Sequence, residues 1–231
     1  MNKILAVATF AALCAAQPAL AADKTGFYIG ADFANANYDV DAGTFDYLLS
    51  DLGDAVEEEG LALINPDSEL DDSDSSYGLF VGYRFMPYFA VEGGYIDLGT
   101  AGYKATGDVT DGEVTVPVSI SGDISSSGFQ LSALGIWPIG ESFEAYGRAG
   151  FYFGDADIDL NTSVNGETVP ELSGSEKEGE TEFLWGIGGA WNFSDAWAVR
   201  AEWTQIMDVG DEELTGEYNV DRLSIGVTWT F

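Results

Sequence analysis

The chain has 231 residues and a formal net charge of −32, from forty acidic and eight basic residues. So large a negative charge disfavours nucleic acid as a partner, because the chain and the phosphates would repel each other. Apolar residues nevertheless make up 46% of the sequence and aromatic residues 13%, which is unlike a disordered acidic chain, so we expect it to fold, as one domain or two small ones.

The first 22 residues are typical of a secretory signal peptide. A basic "MNK" start precedes an apolar run from Ile4 to Ala16, and the small residues "ALAA" at Ala19 to Ala22 form a cleavage site. The apolar run is too short to cross a bilayer as a helix. We therefore expect residues 1–22 to be removed and residues 23–231 to form the folded domain. The only cysteine, Cys14, lies in the removed part, so no disulfide is expected to stabilise this domain.

After residue 22 the hydrophobic pattern alternates every second residue, in segments of about ten residues, which is the sequence signature of a transmembrane β-barrel. No stretch approaches the roughly twenty apolar residues of a transmembrane helix. Eight alternating segments follow one another: GFYIGADFANANY from Gly26, YGLFVGYRF from Tyr77, YFAVEGGYI from Tyr88, GFQLSALGIW from Gly128, FEAYGRAGFYF from Phe143, FLWGIGGAWNF from Phe183, WAVRAEW from Trp197 and LSIGVTWTF from Leu223.

The connections between these segments alternate in length. The short connections "FMPY", "WPIGES" and "FSDA" join segments two and three, four and five, and six and seven. The long connections lie at about residues 41–74, 105–118, 156–180 and 208–217. Short turns at one end and long loops at the other are typical of an outer-membrane barrel with its turns in the periplasm. We predict an all-β fold, an eight-stranded antiparallel up-and-down transmembrane β-barrel with both ends periplasmic.

Charged residues within the segments indicate which face points into the barrel. All four arginines lie on the parity opposite to the apolar one, and an arginine facing lipid at the bilayer midplane costs about 2–4 kcal/mol. The apolar face must therefore meet the lipid. Three glutamates share the inward parity and can pair with the arginines. We predict a lumen charge network made of Arg84, Glu92, Glu144, Arg148, Arg200, Glu202 and Arg222.

The fifth segment sets the height of the apolar face. Its apolar parity runs from Phe143 to Phe153 and then becomes acidic at Asp155, Asp157 and Asp159. A tilted membrane strand needs about 9–11 residues, so we expect this strand to project beyond the bilayer.

The eighth segment has one apolar face and is predicted to close the barrel by pairing with the first segment, which removes both sheet edges. Its apolar residues are Leu223, Ile225, Val227, Trp229 and Phe231. Phe231 is expected in the aromatic belt at the periplasmic interface.

These segments resemble the eight-stranded OmpA-type barrel family. The similarity is greatest in "GYRFMPYFAVEGGYIDLG" (Gly82 to Gly99), continues in "GFQLSALGIWPI", "YGRAG" and "WAVRAEW", and covers essentially the whole chain after the signal peptide. The resemblance implies a salt-bridged lumen in which Glu92, Arg148, Arg200 and Glu202 stand at matching positions. It also implies that the outer-membrane assembly machinery recognises a last strand ending in phenylalanine.

Two departures from the family pattern bear on function. The family's lumen gate uses a lysine and a second glutamate, and the corresponding positions here are Leu134 and Ala190, so we do not expect a gate that works by charge exchange. The family's namesake carries a C-terminal peptidoglycan-binding domain, and nothing follows Phe231, so we do not expect cell-wall tethering by that route.

Several features allow two interpretations. The lumen charges form either a satisfied polar core, because eight strands leave an interior that side chains can fill, or a narrow ion path. The acidic loops carry twelve acids and no basic residue at 41–74. They are either a solvated surface or a place where divalent cations bridge to anionic lipid. Neither "DDSDSSYG" nor "DADIDLNT" is an EF-hand.

The helical stripe in "FDYLLSDLGDAV" packs against a neighbouring loop, or it contacts the barrel rim, the membrane or a partner. The glycines of "GIGGAW" relieve crowding in the lumen or permit bending, and they do not bind a nucleotide.

Catalysis is not expected. The sequence contains no histidine, which excludes Ser-His and Cys-His nucleophilic chemistry and histidine-based zinc sites. We predict no metal site and no cofactor.

We therefore predict an integral outer-membrane protein of a Gram-negative bacterium with a structural role, displaying four acidic loops at the surface. The alternatives are a small or transient ion or solute pore, an adhesion or ligand-binding surface protein, and a soluble lipocalin-like barrel; the inward arginines and outward aromatic residues argue against the last. The expected partners are outer-membrane lipid and lipopolysaccharide and the assembly machinery, and the expected state is a monomer.

Overall fold

The computed structural model describes residues 25–40, 50, 53–170, 173–209 and 218–231. These residues form ten strands and a short helical segment at 53–58. The strands are β1 (Gly26–Tyr38), β2 (Ala62–Asp71), β3 (Ser73–Met86), β4 (Phe89–Thr110), β5 (Thr115–Ile139), β6 (Phe143–Val164), β7 (Glu167–Thr168), β8 (Gly174–Asn192), β9 (Trp197–Val209) and β10 (Tyr218–Thr230).

Eight of these strands form a closed antiparallel ring in the order β1, β3, β4, β5, β6, β8, β9, β10. The last strand pairs with the first from Tyr28 opposite Thr230 to Tyr38 opposite Val220. Beyond the last strand, the Phe231 N–H donates to the carbonyl of Phe27 at 3.1 Å. The predicted eight-stranded antiparallel barrel is therefore confirmed. No helix within the described ranges is long and apolar enough to cross a membrane.

Strands β2 and β7 were not predicted, and both lie outside the ring. Strand β2 pairs with the upper part of β4, from Asp71 opposite Gly102 to Ala62 opposite Thr110. It leads into β3, which pairs with the lower part of the same strand, so β2 and β3 are two halves of one long strand interrupted at Asp72. Strand β7 pairs only with the tip of β6.

The prediction of long loops at about residues 105–118 and 156–180 is wrong for most of their length. Strands β4 and β5 remain paired up to Thr110 opposite Thr115, and β6 stays paired with β8 up to Leu160 opposite Gly174. These segments were predicted as loops because they are rich in serine, glycine and aspartate, which have low strand propensity. The strands nevertheless continue, because pairing satisfies the hydrogen bonds of their backbone N–H and C=O groups. The predicted loop at 41–74 likewise contains β2, while residues 41–49 and 210–217 lie outside the described part of the chain.

In the part of the chain that the structure describes, this extra pairing builds a sheet on one side of the barrel only. We call it the sheet extension: β2, residues 100–126 of β4 and β5, residues 155–164 of β6 and residues 174–180 of β8. Residues 98–110 of β4 rise above Asp97 by about 40 Å along the strand, at about 3.3 Å per residue. Strands β1, β9 and β10 end far lower, at Tyr38, Val209 and Tyr218. The barrel mouth therefore has a tall wall on one side and a low rim on the other.

The outer surface of the ring carries exposed apolar side chains on the predicted parity in all eight strands. At the end with the short turns, aromatic rings contact one another in pairs such as Trp197 with Trp229 and Phe143 with Trp191. On β6 the exposed face changes after Phe153 to Asp155, as predicted, so an apolar band separates the aromatic end from the polar sheet extension.

Candidate functional site: the barrel interior

Four arginines in the interior of the ring pair with four carboxylates. They are Arg84, Arg148, Arg200 and Arg222 with Asp32, Glu92, Glu144 and Glu202. The structure places all seven residues of the predicted lumen charge network inside the barrel, and it adds Asp32.

Four of these residues form a closed square at mid-height. Glu92 contacts Arg148 at 2.5 Å and Arg200 at 2.6 Å. Glu202 contacts Arg148 at 2.8 Å and Arg200 at 3.1 Å. Each charge thus has two neighbours of opposite sign, and Glu92 is 0% exposed. Ions so deeply buried are tolerated only when they are paired and hydrogen-bonded, as all four are.

Two tyrosines donate hydrogen bonds to the carboxylates of the square. The Tyr28 hydroxyl donates to Glu92 at 2.7 Å, and the Tyr146 hydroxyl donates to Glu202 at 2.6 Å. The guanidinium of Arg200 lies over the Tyr146 ring, 4.6 Å from the centroid to Cζ, and 5.0 Å from the ring of Phe80. Cation–π contacts of this kind hold an arginine in one orientation while it keeps its ion pairs.

Glycines on neighbouring strands make room for these rings. A Cβ atom at Gly188 would lie 2.4 Å from Tyr146, and one at Gly82 would lie 2.2 Å from Tyr28. Since Cβ contacts below 3.0 Å do not occur, each ring needs the glycine beneath it. Gly188 belongs to the "GIGGAW" segment, and its place agrees with the interpretation that these glycines relieve crowding in the lumen.

Two further ion pairs flank the square. Near the short turns, Arg84 contacts Glu144 at 3.0 Å and also donates to the carbonyl of Pro87. On the opposite side, Arg222 pairs with Asp32. Its Nε donates to the Ser76 hydroxyl at 2.7 Å. Asp32 could have been identified from the sequence, because it lies on the inward parity of "GFYIGADFANANY".

An apolar cluster fills the lumen between the charge network and the sheet extension; we call it the apolar plug. Its members come from β1, β4, β5, β6, β8, β9 and β10, and the side chains of Leu98, Leu184, Ile206 and Val220 are 0% exposed. The full set is Ala36, Tyr38, Ile96, Leu98, Ala101, Ile124, Tyr152, Leu184, Ile206, Val209, Tyr218 and Val220. The lumen is therefore layered, with an apolar level above the polar one, rather than polar throughout as a purely polar core would be.

Two small cavities lie beside the charge network. One, of about 60 Å³, opens near the short turns, and another of about 20 Å³ lies on the other side of the square. Volumes of this size hold a few water molecules and one water molecule, respectively. Leu134 and Ala190, at the positions of the family's gate residues, line the first cavity as apolar wall. Neither can exchange an ion pair.

The closing strand points its predicted residues outward. Leu223, Ile225 and Val227 are exposed to the lipid side. Trp229 lies between two other aromatic rings, 6.3 Å from Trp197 and 4.3 Å from Phe231, which is 71% exposed. Phe231 thus lies at the aromatic end of the barrel.

The acidic sheet extension shows local order but no metal-binding geometry. No group of three or more acidic side chains among the described residues is arranged to hold a metal ion. At the β4–β5 tip, backbone N–H groups of Val114 and Glu113 donate to the Asp111 carboxylate at 2.7 and 2.8 Å, and these bonds lower the pKa of Asp111. Of the predicted helical stripe, Val56 lies in the helical segment at 53–58, and its other members lie outside the described residues.

The sequence of this chain is similar to those of known outer-membrane proteins. The sequence profile of the OmpA-like transmembrane domain matches residues 22–231. Outer membrane protein A of Yersinia pseudotuberculosis is 27% identical over 80% of this chain and 48% of its own length. That of Shigella dysenteriae is 29% identical over 67% of this chain and 39% of its own length. The chain thus spans less than half the length of these relatives. The structure of Ail, the attachment invasion locus protein of Yersinia pestis, aligns with a TM-score of 0.47 and 17% identity, over 90% of this chain and 99% of that one.

Proposed function

Because this chain belongs to the OmpA-like transmembrane domain family and is an outer-membrane β-barrel, we propose that it is a non-conducting structural protein of the outer membrane that presents its acidic sheet extension at the cell surface. The sheet extension then faces outward and the short turns face the periplasm. No catalytic role is part of this proposal.

The apolar plug is the observation that carries the proposal. An ion crossing the lumen would have to shed most of its water among buried side chains that are predominantly apolar, which is unfavourable. The paired charges below the plug add a second barrier, because each arginine is already held by a carboxylate. The rival interpretation, a small or transient pore, would require both levels to open.

Conductance in planar bilayers tests this proposal. We expect the purified protein to give only rare, small current steps, and we expect Ile206→Ser in the apolar plug to raise their frequency, because a hydroxyl can hold water where the isoleucine side chain excludes it. Ile225→Ser, on the lipid face of the barrel, is the matched control and should leave the current unchanged. A steady conductance in the unmodified protein would overturn the proposal in favour of a pore.

The presenting role is tested separately with a shortened sheet extension. Replacing residues 102–123 by an Asn-Gly turn removes most of β4 and β5 above the plug and leaves Ala101 and Ile124 in place. We expect this variant to fold and insert normally while surface-dependent properties, such as adhesion and accessibility to antibody, are lost. If envelope integrity fell and surface properties stayed the same, the role of the protein would lie in the barrel itself.

A further inference from the structure

The lipid-facing surface contains a groove that neither the charge network nor the sheet extension explains. It covers about 590 Å³ on the outside of β1, β3, β4 and β5. Leu79 and Val81 form one wall and Phe129 forms the other, all with at least half of the side chain exposed. The ring of Tyr95 packs edge-on against Phe129 at 5.6 Å and limits the groove toward the sheet extension.

Gly93 contributes to the floor of this groove. Gly93 lies in a row of outward-facing positions, directly between Val81 on β3 and Leu131 on β5. A Cβ atom at Gly93 would have its nearest contact at 3.8 Å, so the barrel itself does not require a glycine here. Inward glycines such as Gly82 differ, because an aromatic ring fills the space above them. The depression at Gly93 is therefore open for something outside the chain.

The depth of the groove indicates what lies beside it. On β4, the apolar band runs from Phe89 to Tyr95 and is followed by Asp97, whose carboxylate accepts a hydrogen bond from Tyr77 at 2.9 Å. Asp97 aligns across the sheet with Ser127 and then with Asp155. This polar row marks the level of the lipid headgroups. This inference rests on the orientation in the proposed function, with the sheet extension outward. In that orientation Gly93 lies within the outer leaflet, which in a Gram-negative outer membrane is formed by lipopolysaccharide.

From these observations, we propose that the Gly93 groove binds one acyl chain of a lipopolysaccharide molecule. The chain lies between the wall of Leu79 and Val81 and the wall of Phe129, and the headgroup lies beside the row that contains Asp97. Because the rest of the bilayer is equally apolar, the preference for the groove comes from dispersion contacts with its walls and not from the hydrophobic effect. A divalent cation between a lipid phosphate and a carboxylate of that row would offset their repulsion.

Filling the groove tests this proposal. Gly93→Leu places a branched side chain in the groove, and Gly135→Leu is the matched control, because Gly135 also faces lipid and has no atom within 4 Å of an added Cβ. Each protein is reconstituted with equal amounts of truncated-sugar lipopolysaccharide and phosphatidylethanolamine in the presence of Mg²⁺, extracted in mild detergent and examined by native mass spectrometry. We expect one lipopolysaccharide to remain on the unmodified protein and on the control, and retention to fall by about fivefold in Gly93→Leu, the size of effect that the loss of a few packing contacts produces.

Three results would overturn the proposal: equal retention by Gly93→Leu and the unmodified protein, preferential retention of phosphatidylethanolamine, or a dimer mass that disappears in Gly93→Leu. The last would make the groove a contact between two copies. Should Gly93→Leu fail to fold, as judged by the mobility of unheated and heated samples on a gel, Gly93→Ala gives the same test with one added carbon atom. We expect a smaller loss of the same sign.

Discussion

Among substitutions of a lumen glutamate by glutamine, Glu92→Gln should lower the free energy of unfolding the most. The substitution keeps the shape of the side chain and removes its charge, so Arg148 and Arg200 are left to share Glu202. Two charge-assisted hydrogen bonds weaken, and the interior gains a net positive charge at a position with 0% exposure. Breaking a buried ion pair in this way costs about 3–5 kcal/mol of unfolding free energy.

Reversible urea unfolding in lipid vesicles, followed by tryptophan fluorescence, measures this free energy. Glu144→Gln is the control, because among the described residues Glu144 forms an ion pair with Arg84 alone. It lies near the short turns with 11% of its side chain exposed, so we expect the substitution to cost about 1–2 kcal/mol of unfolding free energy. The double variant Glu92→Gln/Arg148→Gln restores neutrality and should be more stable than the sum of the two single effects predicts, by at least about 1 kcal/mol. Additive effects in this cycle, or equal losses for Glu92→Gln and Glu144→Gln, would refute the reasoning.

Three further variants test other parts of the structure. Gly188→Ala should lower the unfolding free energy by about 1–3 kcal/mol, because its Cβ meets the Tyr146 ring at 2.4 Å, whereas Gly189→Ala, with its nearest contact at 3.5 Å, should be close to neutral in the same urea titration. Tyr146→Phe removes the hydroxyl that donates to a buried carboxylate and should cost about 1–3 kcal/mol; no loss of stability would mean that this hydrogen bond is dispensable. Deleting Phe231 should slow insertion into membranes more than deleting Gly112 from the exposed β4–β5 tip, and equal amounts of the two proteins in the outer-membrane fraction would contradict an assembly role for the last residue.

The barrel could be predicted from the sequence because its signal is local. Alternation assigns each residue of a strand to one face, and the arginines decide which face is inside, so the lipid-facing positions from Phe27 on β1 to Phe231 after β10 followed without knowledge of any contact. Asp32 obeys the same rule but was not predicted, because the predicted network paired the arginines with glutamates alone.

The alternating pattern does not determine the register between neighbouring strands or the level of a residue along the barrel axis. The features that depend on these two quantities were therefore not predicted. Parity places Glu92 and Arg200 in the lumen, but only the stagger of neighbouring strands brings these residues, 108 positions apart, to the same level. The apolar plug was missed for the same reason: Leu184 and Ile206 have inward parity, yet nothing in either strand shows that they meet in one layer. Strand β2 was missed because its acidic residues and Pro66 are typical of a loop, and its pairing with β4 overrides that local preference.

The ion pairs of the lumen also have a consequence for assembly. Asp32 and Arg222 stand on the first and last strands, so their contact exists only once the seam between β1 and β10 is shut. Glu92 and Arg200 face each other across the lumen. In a partly inserted, open sheet these two side chains would not meet, so their ion pair would be absent. An open intermediate would expose lone arginines to hydrocarbon, at about 2–4 kcal/mol for each one near the midplane. Insertion and closure should therefore occur as one cooperative event, with half-built barrels scarcely populated.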